Sequence, residues 1–536
     1  MKINRSKSDK AWATLLFLAL IFFLYCSIST INFGNHWDEM RIINSVRDSV
    51  ETGILLPRWY NYPSFSYLVG LLASLPYLIF KNLDKLSNLI YSTTDIKLLM
   101  MALGKESAYL ILENNFKLVL RVIFITLSSL TAIFTFLSLR EMKLSVPSRV
   151  IGSLVILSSF QFFYHSRWIA PDVLLVSASA MLILSCINSQ NKKNLLSLRI
   201  SAVCAGLCIA IKYQAGILLI LPLCTGSNVP FKTKLVNTIF FSTATFVVIT
   251  PGAVIEPIHF IINIIYEIRH YSVDGHGVNT IQKGGEHLLR ILDFIFIRLF
   301  SKNIIISILL SLFCVSGFIL SLINIKYKIY RKIICIFPIV YIFYFSSQSV
   351  MNIRNYLVIL PFFALYVAIF FDYLSISIKS FFIKLIISLF FILIFSMNLY
   401  SIYNVLNSFN YVETNLWKKE VEKYVLINKI KPYITPKVKD LLGIGSGNDS
   451  IVSHSLTEAD SVIYLLGEYP EMGHWAGYKK EPYLGNLANY RGIYKVIAGP
   501  DDVDLDYYPT WDGLDRIVVV TNPYMSLLTS KKREHD

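Results

Sequence analysis

The feature that most constrains this chain is a series of long apolar segments recurring through the first 400 of its 536 residues. Eleven of them read as membrane spans, at roughly 11–31, 117–139, 149–165, 171–188, 199–211, 213–225, 235–252, 303–324, 333–347, 355–372 and 381–400. A helix crossing the hydrocarbon core needs about 20 apolar residues. Several segments are shorter than that, most obviously the pair on either side of Lys212. Composition points the same way: 54% of residues are hydrophobic, 16% are charged, and the mean hydropathy is +0.55. A soluble enzyme of this size is excluded. The expected fold class is a polytopic α-helical membrane protein of about eleven transmembrane helices.

Charge divides the chain. Residues 1–400 carry 35 Lys/Arg and 17 Asp/Glu, whereas residues 401–536 carry 15 and 18. The basic excess lies in short loops between apolar segments, around Lys2–Lys10, Arg140–Arg149, Lys192–Arg199, Lys232–Lys234 and Lys326–Lys332. Basic loops mark the cytoplasmic face and touch anionic lipid, so the charge needs no nucleic acid partner. The N-terminal basic residues and apolar run read as an uncleaved membrane helix rather than a signal peptide. All seven cysteines lie in apolar segments, with no disulfide framework or metal-ligand spacing.

Parity then fixes sidedness. If residues 64–80 lie in the interface rather than span, every basic loop is cytoplasmic, and loops 32–116 and 253–302 are external. Within the first, Ile42, Ile43, Val46 and Val50 recur at helical spacing opposite Arg41, Asn44, Asp48 and Glu51, with Gly53 as a stop. That pattern predicts an amphipathic helix on the membrane surface. In the second, Pro257 opens a helix with a stripe of Ile258, Ile261, Ile262, Ile265 and Ile268. Residues 271–286 are glycine-rich and polar, as expected of a loop. Hydrophobic character ends near residue 400, and segments such as Ser461–Leu466 and Arg516–Thr521 read as buried strands. The division is therefore a transmembrane domain over 1–400 and a small soluble α/β domain over 401–536, expected in the periplasm of a bacterium.

Chemistry gathers at the predicted outer ends of the spans. His36-Trp37-Asp38-Glu39 follows the first apolar segment. Carboxylates beside lipid are costly, and they either face water or serve a purpose. His165-Ser166-Arg167-Trp168-Ile169-Ala170-Pro171-Asp172 sits at another end, Gly206 through Lys212-Tyr213 at a third, and Arg354-Asn355-Tyr356 through Pro361 opens a late span. Each has a plain alternative: Asp172 as a helix N-cap, Lys212 as a snorkelling side chain, Arg354 as an anchoring charge, Arg167 as a headgroup contact. The histidines at 165, 259, 270, 276 and 287 lack a metal-ligand spacing such as H-E-x-x-H. A divalent ion between Asp38 and Asp172 is left open, and no cofactor is indicated. Gly443-x-Gly445-x-Gly447 and Asp502-x-Asp504-x-Asp506 lack the context of a dinucleotide site and of a calcium loop, and read as turns.

These four elements in this order resemble the C-type glycosyltransferase fold, in the branch containing protein O-mannosyltransferases and the aminoarabinose transferases that modify lipid A. The likeness covers residues 11–400. It implies a polyprenyl-phosphate sugar donor, a glycan, glycolipid or protein acceptor on the external face, and inversion at the anomeric carbon. By resemblance, Asp38 is the catalytic base, Glu39 its neighbour and Asp172 the second external acid. Lys212, Arg354 and Arg167 are candidate contacts of the donor phosphate. The family's adjacent Arg-Tyr is interrupted here by Asn355. Two rival readings are an envelope polysaccharide polymerase, and a lipid-linked sugar transporter or flippase. The early Asp-Glu pair and long first loop speak against the first. The second calls for charged residues at mid-membrane and an inverted repeat, neither of which stands out.

Overall fold

The computed structural model describes residues 5–32, 37–92, 96–226, 228–275, 280–409, 414–443, 459–465, 495–498 and 517–521. His36, His276, Gly445, Gly447 and the Asp502–Asp506 triplet lie outside the described residues. The chain divides into two compact units, one of residues 1–31 and 38–402, the other of residues 32–37 and 403–536.

The larger unit is helical. Its first helices are α1 (Arg5–Ser29), α2 (Trp37–Thr52), α3 (Phe65–Ser92), α4 (Ile96–Leu112), α5 (Asn114–Glu141), α6 (Val146–Ser158), α7 (Phe160–Ser166) and α8 (Pro171–Lys192). Next come α9 (Leu195–Ile211), a 3₁₀ turn at Tyr213–Leu219, α10 (Ile220–Leu223), α11 (Phe231–Ile249), α12 (Gly252–Ile255), α13 (Pro257–Arg269) and α14 (Gly285–Asp293). The last are α15 (Ile304–Ile323), α16 (Arg331–Ser346), a 3₁₀ turn at Ile353–Ile359, α17 (Leu360–Ser377) and α18 (Phe381–Phe409). Among the described residues, six helices are long and apolar enough to cross a membrane, or seven if one bent pair counts as a single span. They lie at 9–29, 114–141, 171–192, 304–323, 353–377 and 381–406. Residues 65–81, 195–211 and 213–223 form shorter apolar helices. The chain is thus a polytopic helical membrane protein.

Small residues set the closest helix contacts. A Cβ at Gly317 of α15 would stand 1.9 Å from the Tyr366 carbonyl oxygen of α17, and one at Gly206 of α9 2.4 Å from the Ser242 carbonyl oxygen of α11. Backbones that approach this closely pack by dispersion, the force available where lipid is as apolar as the side chains. Outward faces stay apolar, as with Phe381, Phe382 and Leu389 on α18.

Four expectations need correction. Segment 149–165 is not one continuous span: α6 and α7 meet at Ser159 with a 57° bend, and Ser159 caps α7 by accepting from the Phe162 N–H. The apolar segment at 64–80 does not stop at residue 80; it opens the 28-residue α3, which runs through Pro76 to Ser92. The apolar stripe of α2 does not face lipid. Ile42, Ile43 and Val46 are buried, and a Cβ on Gly70 of α3 would touch Val46 at 2.9 Å and Ile42 at 3.8 Å. Finally, α18 runs on past residue 400 to Phe409. Gly53 does end α2, with φ +69° and its N–H on the Ser49 carbonyl, the left-handed conformation glycine tolerates best.

The smaller unit contains α19 (Thr414–Asn428), β1 (Pro432–Ile434), α20 (Pro436–Leu442), β2 (Ser461–Leu465), β3 (Lys495–Ala498) and β4 (Ile517–Thr521). The sheet order is β1-β2-β4-β3, with β1 parallel to β2 and both other pairings antiparallel. The two strands expected from sequence are neighbours, with Ile463 opposite Val519. Trp417, Val421 and Val425, four residues apart on α19, form one stripe that packs with Ile434, Val438, Ile463 and Val519.

Candidate active site

Two breaks in helical backbone position the basic residues. Lys212 is extended (φ −154°, ψ 129°) between α9 and the following 3₁₀ turn. Arg354 opens the 3₁₀ turn that leads into α17. Irregular backbone at membrane depth is tolerated where protein buries it, and here it turns two long cationic side chains toward the acids. Asp38 is in the first turn of α2 and Asp172 in the first turn of α8.

The four side chains meet. Lys212 Nζ donates to Asp172 Oδ1 at 2.5 Å and to Asn355 Oδ1 at 2.6 Å. Arg354 pairs with Asp38 and reaches Asp172 Oδ2 from Nε at 3.5 Å. The exposures rank them: Asp172 2%, Lys212 4%, Arg354 6% and Asp38 14%. Two acids and two bases balance, which lowers the large penalty of burying ions. Asp38 is the most open of the four. The snorkelling alternative for Lys212 and the capping alternative for Asp172 both give way to this geometry. Lys212 is buried on two oxygens, and the cap residue of α8 is Ala170, with Asp172 inside the helix.

Glu39 and Arg167 lie elsewhere. Glu39 is wholly buried on Arg121, accepting from Nε at 2.8 Å and Nη2 at 2.5 Å, and its Oε1 also takes the Ile169 N–H at 3.1 Å. Arg121 donates onward to the Ile31 carbonyl, and Arg167 donates to the Thr30 carbonyl at 3.2 Å while lying over the Phe163 ring. The two arginines thus satisfy carbonyls just past the end of α1, a place where helices leave acceptors unpaired. This knot ties α1, α2, α5 and the Arg167–Ala170 turn together, and the flanks of both Asp38 and Asp172 are fixed by it. A bidentate guanidinium–carboxylate pair has the geometry for such a clamp.

Several residues at the site escaped the sequence reading. Tyr62 accepts from Arg354 at 3.4 Å, and burial, with the Asp38 carboxylate beside it, holds its hydroxyl well above the usual phenol range. Loop 53–64 is laced to α13: Tyr60 N–H to Asn263 (3.2 Å), Tyr60 hydroxyl to Glu256 (3.0 Å) and Asn61 to Glu267 (2.6 Å). Tyr213, next to Lys212, donates to the Tyr60 carbonyl at 2.7 Å. His287, buried between the Gln348 carbonyl and the Tyr356 hydroxyl at 2.9 Å each, braces the turn carrying Arg354. One signal was available: Arg121 is a lone arginine inside an apolar run, and an intramembrane charge calls for a partner. Among the described residues, no group of three or more His, Cys, Asp or Glu is placed to hold a metal ion.

No family model matches the chain, and no curated protein matches it by sequence. Among solved structures it is similar to ArnT from Cupriavidus metallidurans, in crystals bound to undecaprenyl phosphate and in the apo state. In each case the identity is 10% and the TM-score 0.48, over 96% of this chain and 98% or 99% of the other.

Proposed function

We propose that the protein is a membrane glycosyltransferase that moves a sugar from a polyprenyl phosphate to a hydroxyl-bearing glycan, glycolipid or protein. The observation that carries this reading is the convergence of Asp38, Asp172, Lys212 and Arg354 at the openings of helices in a membrane-embedded bundle. A phosphate leaving group needs no proton if cations balance its charge, and Lys212 and Arg354 supply two. An acceptor hydroxyl needs a base within hydrogen-bond reach, and Asp38 is the acid most open to it. Positive charge growing on the sugar ring favours carboxylates nearby, a part that suits Asp172 as well.

Arg354 links the steps. Its guanidinium pairs with Asp38. An arriving phosphate competes for the same guanidinium and so releases the Asp38 carboxylate toward the acceptor hydroxyl as the donor seats. A single displacement with base and phosphate on opposite faces of the sugar inverts the anomeric carbon. Glu39, Arg121 and Arg167 serve as framework in this reading, holding the acids without touching substrate. The site and the smaller unit are assigned to the periplasmic face of a bacterial inner membrane, with the N-terminus cytoplasmic.

The experiment is mass spectrometry of envelope glycans and lipid-linked sugars from a deletion strain beside its parent. The expected result is one sugar lost from an envelope acceptor and the matching polyprenyl-phosphate sugar accumulated. Unchanged profiles in both pools would sink the proposal.

A further inference from the structure

The helix α13 has two unlike faces. Ile258, Ile261, Ile262, Ile265 and Ile268 are all exposed on one side. On the other, Asn263 and Glu267 stand four residues apart, and Tyr271 extends the same row by another four in the turn that follows. Each member of this polar row reaches a residue of the site or its loop. Asn263 takes the Tyr60 N–H and Glu267 takes the Asn61 amide, while Tyr271 lies close enough to Glu267 and Arg354 to feel both charges. Asn355 holds Lys212, and Tyr62, next to Asn61, touches Arg354.

Glu267 is therefore a third carboxylate beside the cluster. Only Oε1 is engaged by Asn61, and among the described residues Oε2 accepts no hydrogen bond. Burial raises its proton affinity, opposed by the Asn61 bond and by the charge of Lys212. The chemistry proposed for the central four groups does not use it. A partly exposed carboxylate with a spare oxygen, flanked by the Asn61 amide and Tyr271, with Tyr62 beside Tyr271 and Arg354, suits the polar substituents of a sugar ring. Carboxylates accept from hydroxyl or amino groups and repel other carboxylates.

Taking the transferase reading as its basis, we infer that Glu267, Asn61, Tyr62 and Tyr271 form the subsite for the donor's sugar, and that this sugar carries hydrogen-bond donors and no carboxylate. Uronic acids are rejected by charge. Hydroxyl and amino substituents share the chemistry that is accepted.

The test uses the full chain in lipid nanodiscs and measures binding of four probes. These are bare polyprenyl phosphate and the same lipid carrying a neutral hexose, an amino sugar or a uronic acid. The wild type should bind the better of the neutral and amino conjugates about tenfold more tightly than the uronic one, a gap of about 1.4 kcal/mol. Which of the two leads identifies the substituent. Glu267→Gln keeps the contact to Asn61 and should close most of the gap, with affinity for the bare lipid unchanged. Glu267→Asp, which keeps the charge, should restore the rejection. A uronic conjugate bound as tightly as the others by wild type, or a gap that survives in Glu267→Gln, overturns the subsite while leaving the transferase reading intact. Failure of wild type to bind any of the lipid phosphates overturns both.

Discussion

One continuous segment, Ile353–Ser377, carries a buried charge cluster near each end, and the two clusters are built differently. Near its C-terminal end, Asp372 accepts from the Ser145 N–H and the Ser148 hydroxyl at 3.0 Å each, from Lys326 at 2.5 Å and from the Tyr327 hydroxyl at 2.9 Å. Two donors reach each oxygen, and the cation among these donors, Lys326, is partly exposed at 37%. Near the N-terminal end, roughly 27 Å away at about 1.5 Å per residue, Arg354 is shared between two carboxylates and Lys212 holds one of them. There, ions answer ions, and in the proposed reaction a phosphate or a proton exchanges into the set. A carboxylate saturated by hydroxyls and backbone is a fastener. A set of mutually neutralising ions can rearrange around a charged ligand without leaving a bare charge behind.

The contrast breaks if substitutions at the two ends have the same consequences. The largest expected effect is at Asp38. Asp38→Asn keeps the shape but cannot take a proton, so single-turnover transfer at matched protein amounts should fall about 10²–10⁴-fold, with lipid-donor binding retained. Near wild-type transfer would leave Asp38 a structural partner of Arg354 and move the search for a base to Asp172. Next comes Lys212→Met, which removes one charge-assisted contact of about 1.5–3 kcal/mol and should weaken donor binding about tenfold or more. Because it also strips Asp172 of its main partner, the double variant Lys212→Met with Asp172→Asn is the control. If the double variant regains donor affinity, the single loss came from a stranded carboxylate and not from the phosphate. The smallest effect is at the other end. Ser148→Ala should cost about 0.5–1.5 kcal/mol of stability, read as a lower unfolding midpoint, and leave transfer per folded molecule unchanged. A change in transfer there would erase the distinction between fastener and reacting set.

How much of this could be read beforehand follows from what each signal measures. Hydropathy located the apolar segments because partitioning depends on composition alone. It could not register the bend at Ser159, which substitutes one backbone conformation for another without altering polarity. Nor could amphipathic spacing in α2 say whether its apolar face meets lipid or protein, since both environments accept Ile42 and Val46 equally. The opposite held for α13, whose isoleucine stripe stays exposed. At the candidate site, Asp38, Asp172, Lys212 and Arg354 were singled out as charged residues at segment ends. The pairings that frame them were not, because contacts such as Glu39–Arg121 and Asn61–Glu267 join residues 82 and 206 positions apart. Such pairings exist only once the bundle has formed.

The adjacency of Asp38 and Glu39 carries a further consequence. Successive residues of a helix project about 100° apart around its axis, and both residues sit in the first turn of α2. One step of rotation separates the carboxylate on Arg354 from the carboxylate sealed against Arg121. The dipeptide therefore behaves as a vernier: its two marks are read against two different scales, and they agree at one helical phase only. A residue inserted just before Asp38, keeping the helix and shifting its phase, would present the knot with the shorter acid and turn the longer one away from both arginines. Reversing the order to Glu-Asp would preserve composition and charge and yet put each chain length against the wrong partner. Order and phase, more than the presence of two acids, are what this turn of helix encodes.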